Sequence, residues 1–244
     1  MLEARNARTG EATRRSLTAE AELRLRRDLP WYDAARAIDL LENGRASEDM
    51  DSRLRVSRML TDGVLLPPDY QRAANMFLWS VSLLRGYPEY QGELLRIGRL
   101  ASASARTPPE QAAALHILSA ASLNNLEGSR EAVTDLVRRI GTVRTASLAG
   151  KDAANIRAEL NDELIFGIPL EDDPPDIRPI VLRGLIGPGG RFVHAEVLRS
   201  SGSWFRDRAA LGAWAQYGDR VDLSATARGR FTWVELPPVD SRPD

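Results

Sequence analysis

Two adjacent serines, Ser200 and Ser201, stand between an alternating apolar segment and a helical one. A serine acts as a nucleophile only when a base within hydrogen-bond reach activates its hydroxyl. The chain has two histidines, His116 and His194, and neither is a sequence neighbour of the pair. We therefore interpret the residues from Ser200 to Ser203 as a helix cap, because a serine side chain accepts from the free N–H groups of a first helical turn.

Other residues with chemical potential have simpler structural interpretations. His194 lies alone in a strand pattern, and His116 lies in a helix without companions for a metal site. The Gly-Pro-Gly-Gly run at 187–190 lacks the lysine and following helix of a phosphate loop, so we interpret it as a hairpin turn. The acids at 171–176 do not follow calcium-loop spacing. The sequence thus predicts no catalytic, cofactor-binding or metal residues and no enzyme, although a carboxylate pair formed by acids distant in sequence stays open.

Composition indicates a globular protein and narrows the function classes. Of 244 residues, 43% are apolar and 27% are charged, which is typical of a folded chain. With 33 basic against 34 acidic residues, no overall field favours nucleic acid or anionic lipid. The chain has no cysteine, which excludes disulfides and thiolate metal sites. No apolar run approaches the roughly 20 residues of a membrane span.

The first half of the chain contains an internal repeat. Pro67-Pro68 and Pro108-Pro109 are 41 residues apart. Each unit is predicted to contain a short helix, a loop closed by the prolines, and a longer helix whose first turn holds them. The same offset of 41 residues aligns Val56 with Ile97, Leu60 with Ala101, Ala73 with Ala114 and Phe77 with Leu118. Because one unit is too small to bury its apolar stripe, we expect the units to stack.

The repeat resembles the Sel-one-like repeats, which are relatives of tetratricopeptide repeats, over about 31–145. The resemblance is carried by Gly98-Arg99-Leu100, by the helix starts at Asp69-Tyr70 and Glu110-Gln111, and by the run ALHILSAA at 114–121. It implies a scaffold for protein–protein contacts. We predict a helical repeat domain over 31–166, including further helices around 133–140 and 156–164, after a helical or partly disordered segment at 1–30.

The last third of the chain has a different pattern. Prolines and acids indicate a linker at 167–178. Alternation predicts strands at 180–186 and 192–198 joined as a hairpin, then a helix at 204–217 and a last strand at 230–236. We therefore expect a small strand-strand-helix-strand domain at 179–239, followed by a tail at 240–244. The predicted fold class is α+β, with an N-terminal all-α array of helical-hairpin repeats followed by this β-β-α-β domain.

This domain resembles the C-terminal domain of the TonB family over about 178–238. The matching residues are Gly189-Gly190-Arg191, Val193, the run VLRSSG at 197–202 and the run DRAAL at 207–211. TonB-family domains bridge the two membranes of bacteria and pair a strand with a segment of an outer-membrane receptor. The resemblance implies that Ser200-Ser201-Gly202 is a structural corner between strand and helix.

Strand pairing of this kind is β-augmentation, in which an edge strand offers unpaired N–H and C=O groups to a partner. We predict that the last strand is this edge and that an exposed tryptophan helps to anchor the partner. The predicted partner-binding residues are Phe231, Thr232, Trp233, Val234, Glu235 and Trp204.

The function expected from these features is a non-enzymatic interaction module of the cell envelope. The repeats would serve as a scaffold, and the TonB-like domain would bind a protein or peptide strand, such as part of an outer-membrane receptor or another envelope protein. We expect no cofactor and no nucleic acid, and a periplasmic location with a signal or anchor outside these 244 residues. The alternative is a cytoplasmic scaffold or regulator in which the TonB-like domain only forms a homodimer.

Overall fold

The structure is a computed structural model that describes residues 15–43, 50–81, 88–123, 126–148, 153–154, 156, 178–217 and 222–235. Within these residues the fold is mixed α+β, with most helices first and a small four-stranded mixed sheet after them, so the predicted fold class is confirmed. Two compact units, Met1–Met76 and Phe77–Asp244, divide the chain. This division differs from the predicted one, and the predicted linker lies outside the described residues except for Arg178.

The first unit contains helical residues at 15–24, then α1 (Ala34–Asn43), α2 (Met50–Thr61) and the start of α3 (Tyr70–Val81). Two aspartates cap these helices in the same way. The Asp33 Oδ1 atom accepts from the N–H of Arg36 at 2.9 Å, and the Asp69 Oδ1 atom accepts from the N–H of Arg72 at 2.9 Å. Each carboxylate therefore satisfies a free donor of a first helical turn.

The second unit contains α4 (Pro88–Ser104), α5 (Pro108–Ser122) and α6 (Ser129–Ile140). The predicted helix at 133–140 is thus confirmed. Of the predicted helix at 156–164, only Ile156 is described, and it is helical and buried. The first part of the predicted N-terminal segment, residues 1–14, lies outside the described part of the chain. So do residues 236–244, which include the end of the predicted last strand and the predicted tail.

Positions that the repeat aligns also agree in burial. The aligned pairs Val56 and Ile97, Leu60 and Ala101, Ala73 and Ala114, and Phe77 and Leu118 are all buried. Gly98 allows close helix packing, because a Cβ atom there would lie 2.7 Å from the Leu118 Cδ2 atom. The aligned residue in the first copy, Ser57, is small and also fully buried. Both copies therefore have a small, closely packed or buried residue at this position.

The proline prediction holds in only one copy. Pro108 is the first residue of α5, and the Glu110 Oε2 atom accepts from the N–H of Thr107 at 2.9 Å in a capping box. In the first copy, α3 begins at Tyr70, so Pro67-Pro68 precede the helix. The prediction that they occupy its first turn is wrong, because Asp69 caps the helix and sets its start after the prolines.

The sheet is built from β1 (Arg144–Ser147), β2 (Val181–Ile186), β3 (Phe192–Arg199) and β4 (Thr232–Glu235). Its order is β1-β4-β2-β3. The β2–β3 hairpin turns at 187–191, where the N–H of Gly187 donates to the carbonyl of Arg191 at 2.8 Å. The helix α7 (Trp204–Tyr217) and the short α8 (Ser224–Ala227) connect β3 to β4. The predicted strand-strand-helix-strand order is therefore confirmed.

The predicted edge strand is not an edge. β4 pairs in parallel with β1 on one side and antiparallel with β2 on the other. Thr232 and Val234 are fully buried. The prediction that the last strand is exposed at the sheet edge is wrong, because β1 returns from the helical part of the unit to pair with it. In the described sheet the outer strands are β1 and β3.

A compact core lies between the sheet and α7. Trp214 packs edge-to-face on Phe192 with ring centroids 3.9 Å apart. Gly184 of β2 lies under the same indole, because a Cβ atom there would be 2.7 Å from two ring carbons of Trp214. The remaining members are apolar residues of strands and helices: Ile156, Ile180, Leu182, Ile186, Ala210, Leu223, Ala227 and Val234. The absent side chain at Gly184 thus makes room for the largest residue of the core.

Replacing Gly184 by alanine tests this packing. We expect Gly184→Ala to lower the free energy of unfolding by about 2–3 kcal/mol, because two rigid rings must move to admit the methyl group. Gly212→Ala is the matched control. A Cβ atom at Gly212 meets nothing within 4 Å, and alanine in a helix is favoured by about 0.5–1 kcal/mol. Urea unfolding of both variants measures the difference, and equal stabilities would contradict the packing argument.

Candidate functional site

Hydrogen bonds hold the serine corner between β3 and α7. The Ser201 Oγ atom donates to the Asp207 Oδ1 atom at 2.8 Å, and the backbone N–H of Ser201 donates to the same oxygen at 2.8 Å. The Ser201 Oγ atom also accepts from the N–H of Ser203 at 3.0 Å. The Ser203 Oγ atom in turn accepts from the N–H of Arg206 at 3.5 Å. Of the serines predicted to cap the helix, Ser203 does so, whereas Ser200 and Ser201 accept hydrogen bonds within the corner. These hydrogen bonds fix the direction in which α7 leaves the strand.

A serine–histidine contact that the sequence did not predict links α5 to β3. The Ser119 Oγ atom lies 2.8 Å from the His194 Nδ1 atom and 3.0 Å from the carbonyl oxygen of Val193. A hydroxyl has one hydrogen to donate. Both contacts are satisfied when Ser119 donates to the carbonyl and Nδ1–H of His194 donates to Oγ. With this tautomer no base faces the hydroxyl, and the contact joins α5 to β3.

The surroundings of His194 keep its imidazole neutral. Burial and, to a smaller extent, the nearby charge of Arg183 together lower the pKa of His194 from its ordinary 6.5 to about 4. The Trp233 ring lies 6.0 Å from the imidazole, and the Arg183 guanidinium lies 4.4 Å from the centre of that ring. Trp233, a predicted partner-binding residue, thus packs within the sheet face. A cavity of about 30 Å³ beside His194 has room for one water molecule.

The open edge of the sheet lies along a groove of about 560 Å³, which we call the β3 groove. Its floor is formed by 194–198 of β3. One wall comes from the end of α5 and from α6, including Leu123 and Val133, and the other comes from α7, including Trp204 and Leu211. The hydroxyl of Ser119 donates a hydrogen bond to the carbonyl of Val193 at the start of this edge. From Ala195 onward, no strand of the described residues lies along the edge of β3 that faces away from β2.

Large apolar side chains are exposed at the end of this groove. Trp204 is 50% exposed, Phe205 is 47% exposed and Leu198 is 46% exposed. The Trp204 and Phe205 rings meet edge-to-face with centroids 5.0 Å apart. The Arg208 guanidinium lies over the Trp204 ring, 5.0 Å from its centre. Adjacent exposed aromatic residues that flank a groove are typical of sites that bind a partner.

The structure separates the predicted partner-binding residues into two groups. Trp204 lines the β3 groove, and none of the five residues from Phe231 to Glu235 does. Phe231, Thr232 and Val234 are buried. Sequence reasoning missed β3 as the open edge and missed the groove, because both depend on where β1 pairs and where α5 and α6 pack.

Comparison of the chain with protein-family models, curated proteins and solved structures finds no match in any of the three. Among the helices that the structure describes, none is both long and apolar enough to cross a membrane. Within the same described ranges, His, Asp and Glu side chains form no group of three or more that could hold a metal ion.

The neutral state of His194 predicts a loss of stability in mild acid. Between the ordinary pKa of 6.5 and the folded pKa of about 4, the unfolded chain binds a proton that the folded chain does not. This contribution is fully present above pH 6.5 and is lost as the pH falls towards 4. Going from about pH 7 to about pH 5, we expect it to lower the free energy of unfolding by up to about 2 kcal/mol.

The matched control for this prediction is His194→Phe. The variant loses the hydrogen bond to Ser119 at every pH, but its stability should change less between the two pH values than that of the natural chain. Urea unfolding at both pH values gives the comparison. If the variant and the natural chain lose the same free energy between them, the altered pKa is refuted.

Proposed function

We propose that this protein is a non-enzymatic interaction module of the bacterial cell envelope that acts in the periplasm. Its helical repeats serve as a scaffold, and its TonB-like domain binds an extended segment of a partner protein by β-augmentation. The partner is an envelope protein, such as an outer-membrane receptor. The observation that carries this proposal is the open edge of β3, which has no strand beside it in the described sheet and lies along a groove.

We assign the partner to β3, although the sequence predicted β4 as the exposed edge that binds it. Both sides of β4 are occupied by strands, so its backbone groups cannot pair with a further chain. β3 is paired on one side only, with β2. An unpaired edge supplies affinity through main-chain hydrogen bonds, and side-chain pockets beside it supply specificity.

β3 carries few of the features that prevent edge pairing, although its pairing with β2 is irregular at two points and it ends in the charged Arg199. Natural edge strands are commonly protected by proline, by lysine or by a covering helix. The sequence of β3, FVHAEVLR, contains neither proline nor lysine. Among the described residues, Ser119 of α5 covers the beginning of β3 by its contact with Val193. The uncovered part from Ala195 to Arg199 is long enough to pair with a short extended peptide.

Peptide binding gives a direct test of strand addition. Seven-residue peptides are selected on the full chain from a displayed library, and the best binder is synthesised with single N-methyl groups along its backbone. Because alternate residues of an added strand direct their N–H groups to the edge, we expect alternate N-methyl groups to weaken binding at least about tenfold. The intervening ones should have little effect. Fluorescence anisotropy measures the dissociation constants.

Two exposed leucines provide a matched control for the location. Leu198 lines the groove, whereas Leu100 lies on α4 and is 37% exposed. Leu198→Ser should weaken binding of the selected peptide about five- to tenfold through lost apolar contact, and Leu100→Ser should leave it unchanged. Equal effects of the two substitutions, or of all N-methyl groups, would refute strand addition at β3. A dimer that competes with the peptide would instead favour the homodimer.

Protease accessibility in bacterial cells tests the periplasmic location. We expect the full-length protein to resist added protease in intact cells and to be digested once the outer membrane is opened. A cytoplasmic protein, which stays undigested as long as the inner membrane is intact, serves as the control. Resistance that persists until the inner membrane is broken would overturn the periplasmic location and favour the cytoplasmic scaffold.

A further inference from the structure

The β3 groove contains a cation without an ion pair. Arg208 lines the groove and stacks over Trp204. In the described part of the chain, no carboxylate lies within ion-pair distance of its guanidinium. Burial lowers the pKa of Arg208, because partial desolvation disfavours the charged form. An anion from outside the chain would restore the interaction energy that this guanidinium loses by leaving water.

The acids that line the same groove are already engaged. The Asp207 Oδ1 atom accepts from both the N–H and the hydroxyl of Ser201. Glu196 forms an ion pair with Arg183 on the neighbouring strand. These two carboxylates are committed to the corner and to the sheet, and Arg208 is left as a cation that a ligand can reach.

The position of Arg208 on α7 indicates what kind of anion fits. Trp204, Arg208 and Leu211 follow one another at i, i+4 and i+7, so they share one face of the helix. Arg208 therefore lies in the middle of this wall, between an aromatic side chain and an aliphatic one. A partner segment that runs along the whole of β3 places a side chain beside Arg208. A terminal carboxylate would lie beside Arg208 only if the segment ended at that point.

We propose that the β3 groove recognises an acidic side chain, aspartate or glutamate, within the extended partner segment, with an apolar residue two positions away from it. This inference rests on the proposed function and specifies its ligand. Spacing supports it, because four helical residues from Trp204 to Arg208 span about 6 Å and two strand residues span about 6.7 Å. A guanidinium and a carboxylate form charge-assisted hydrogen bonds that a neutral amide does not match.

Selection with a changed groove tests the acidic requirement. The seven-residue library, displayed with a fixed segment after it so that no free carboxylate is present, is selected on the natural full chain, on R208Q and on R138Q. Arg138 is an exposed arginine on α6 that pairs with Asp135 outside the groove. We expect the natural chain and R138Q to enrich aspartate or glutamate at one position. R208Q should lose that enrichment.

Synthetic peptides then measure the preference. The selected peptide, acetylated and amidated, should bind the natural chain about tenfold more tightly than its twin with glutamine in place of the acid. The two should bind R208Q equally. R208K, which keeps the charge, should retain part of the preference, and a loss as complete as that in R208Q would show that the preference does not come from the charge. Circular dichroism confirms that each variant is folded.

Each outcome separates this inference from the proposed function. Alternate N-methyl sensitivity without any preference for the acid refutes the acidic side chain and leaves strand addition standing. Absence of any peptide that is sensitive to Leu198→Ser refutes strand addition itself. If a glutamine peptide with a free terminal carboxylate binds as tightly as the acidic peptide, the groove reads a chain terminus and the commitment to a side chain is overturned.

Discussion

The double pairing of β4 is the constraint on which the rest of the second unit depends. β4 hydrogen-bonds to β2 as an antiparallel neighbour and to β1 as a parallel one. β1 follows α6 closely in the chain, so this pairing ties the helices and the sheet into one compact unit. It also satisfies the backbone groups that an edge strand would leave free. The only strand of the described hairpin that stays open is therefore β3.

The C-terminal end of β3 depends on a second interaction, the hydrogen bond between Ser201 and Asp207. The buried hydroxyl of Ser201 and the half-buried carboxylate of Asp207 fix the corner where the strand ends and α7 begins. The packing of Trp214 over Gly184 and on Phe192 holds the same helix against the sheet. Together they determine which face of α7 lines the groove, and so they place Trp204 and Arg208 beside the open strand. Both side chains are positioned by Ser201, Gly184 and Trp214, which do not line the groove, together with Asp207, which does.

Local patterns predicted much of this fold. The alternation in 192–198, the Gly-Pro-Gly-Gly turn and the serines before Trp204 are short-range signals, and strand, turn and helix follow them. The offset of 41 residues correctly paired buried positions such as Val56 with Ile97. Local signals failed where a distant partner decides. Nothing within Arg144–Ser147 indicates a strand, because these residues alternate between half-buried and exposed and form a strand only where β4 lies beside them.

The sequence by itself determined most of the elements and their order, with the exception of β1 and α8, because periodicity, caps and turns act between residues close in the chain. It also determined that a tryptophan would be exposed near the start of α7. Only the tertiary structure decided which strand is the edge, since that depends on β1 pairing across a long stretch of chain. The contact of Ser119 with His194 and the isolation of Arg208 have the same origin. Burial, charge and hydrogen bonding at these residues are set by neighbours distant in sequence, which no local pattern specifies.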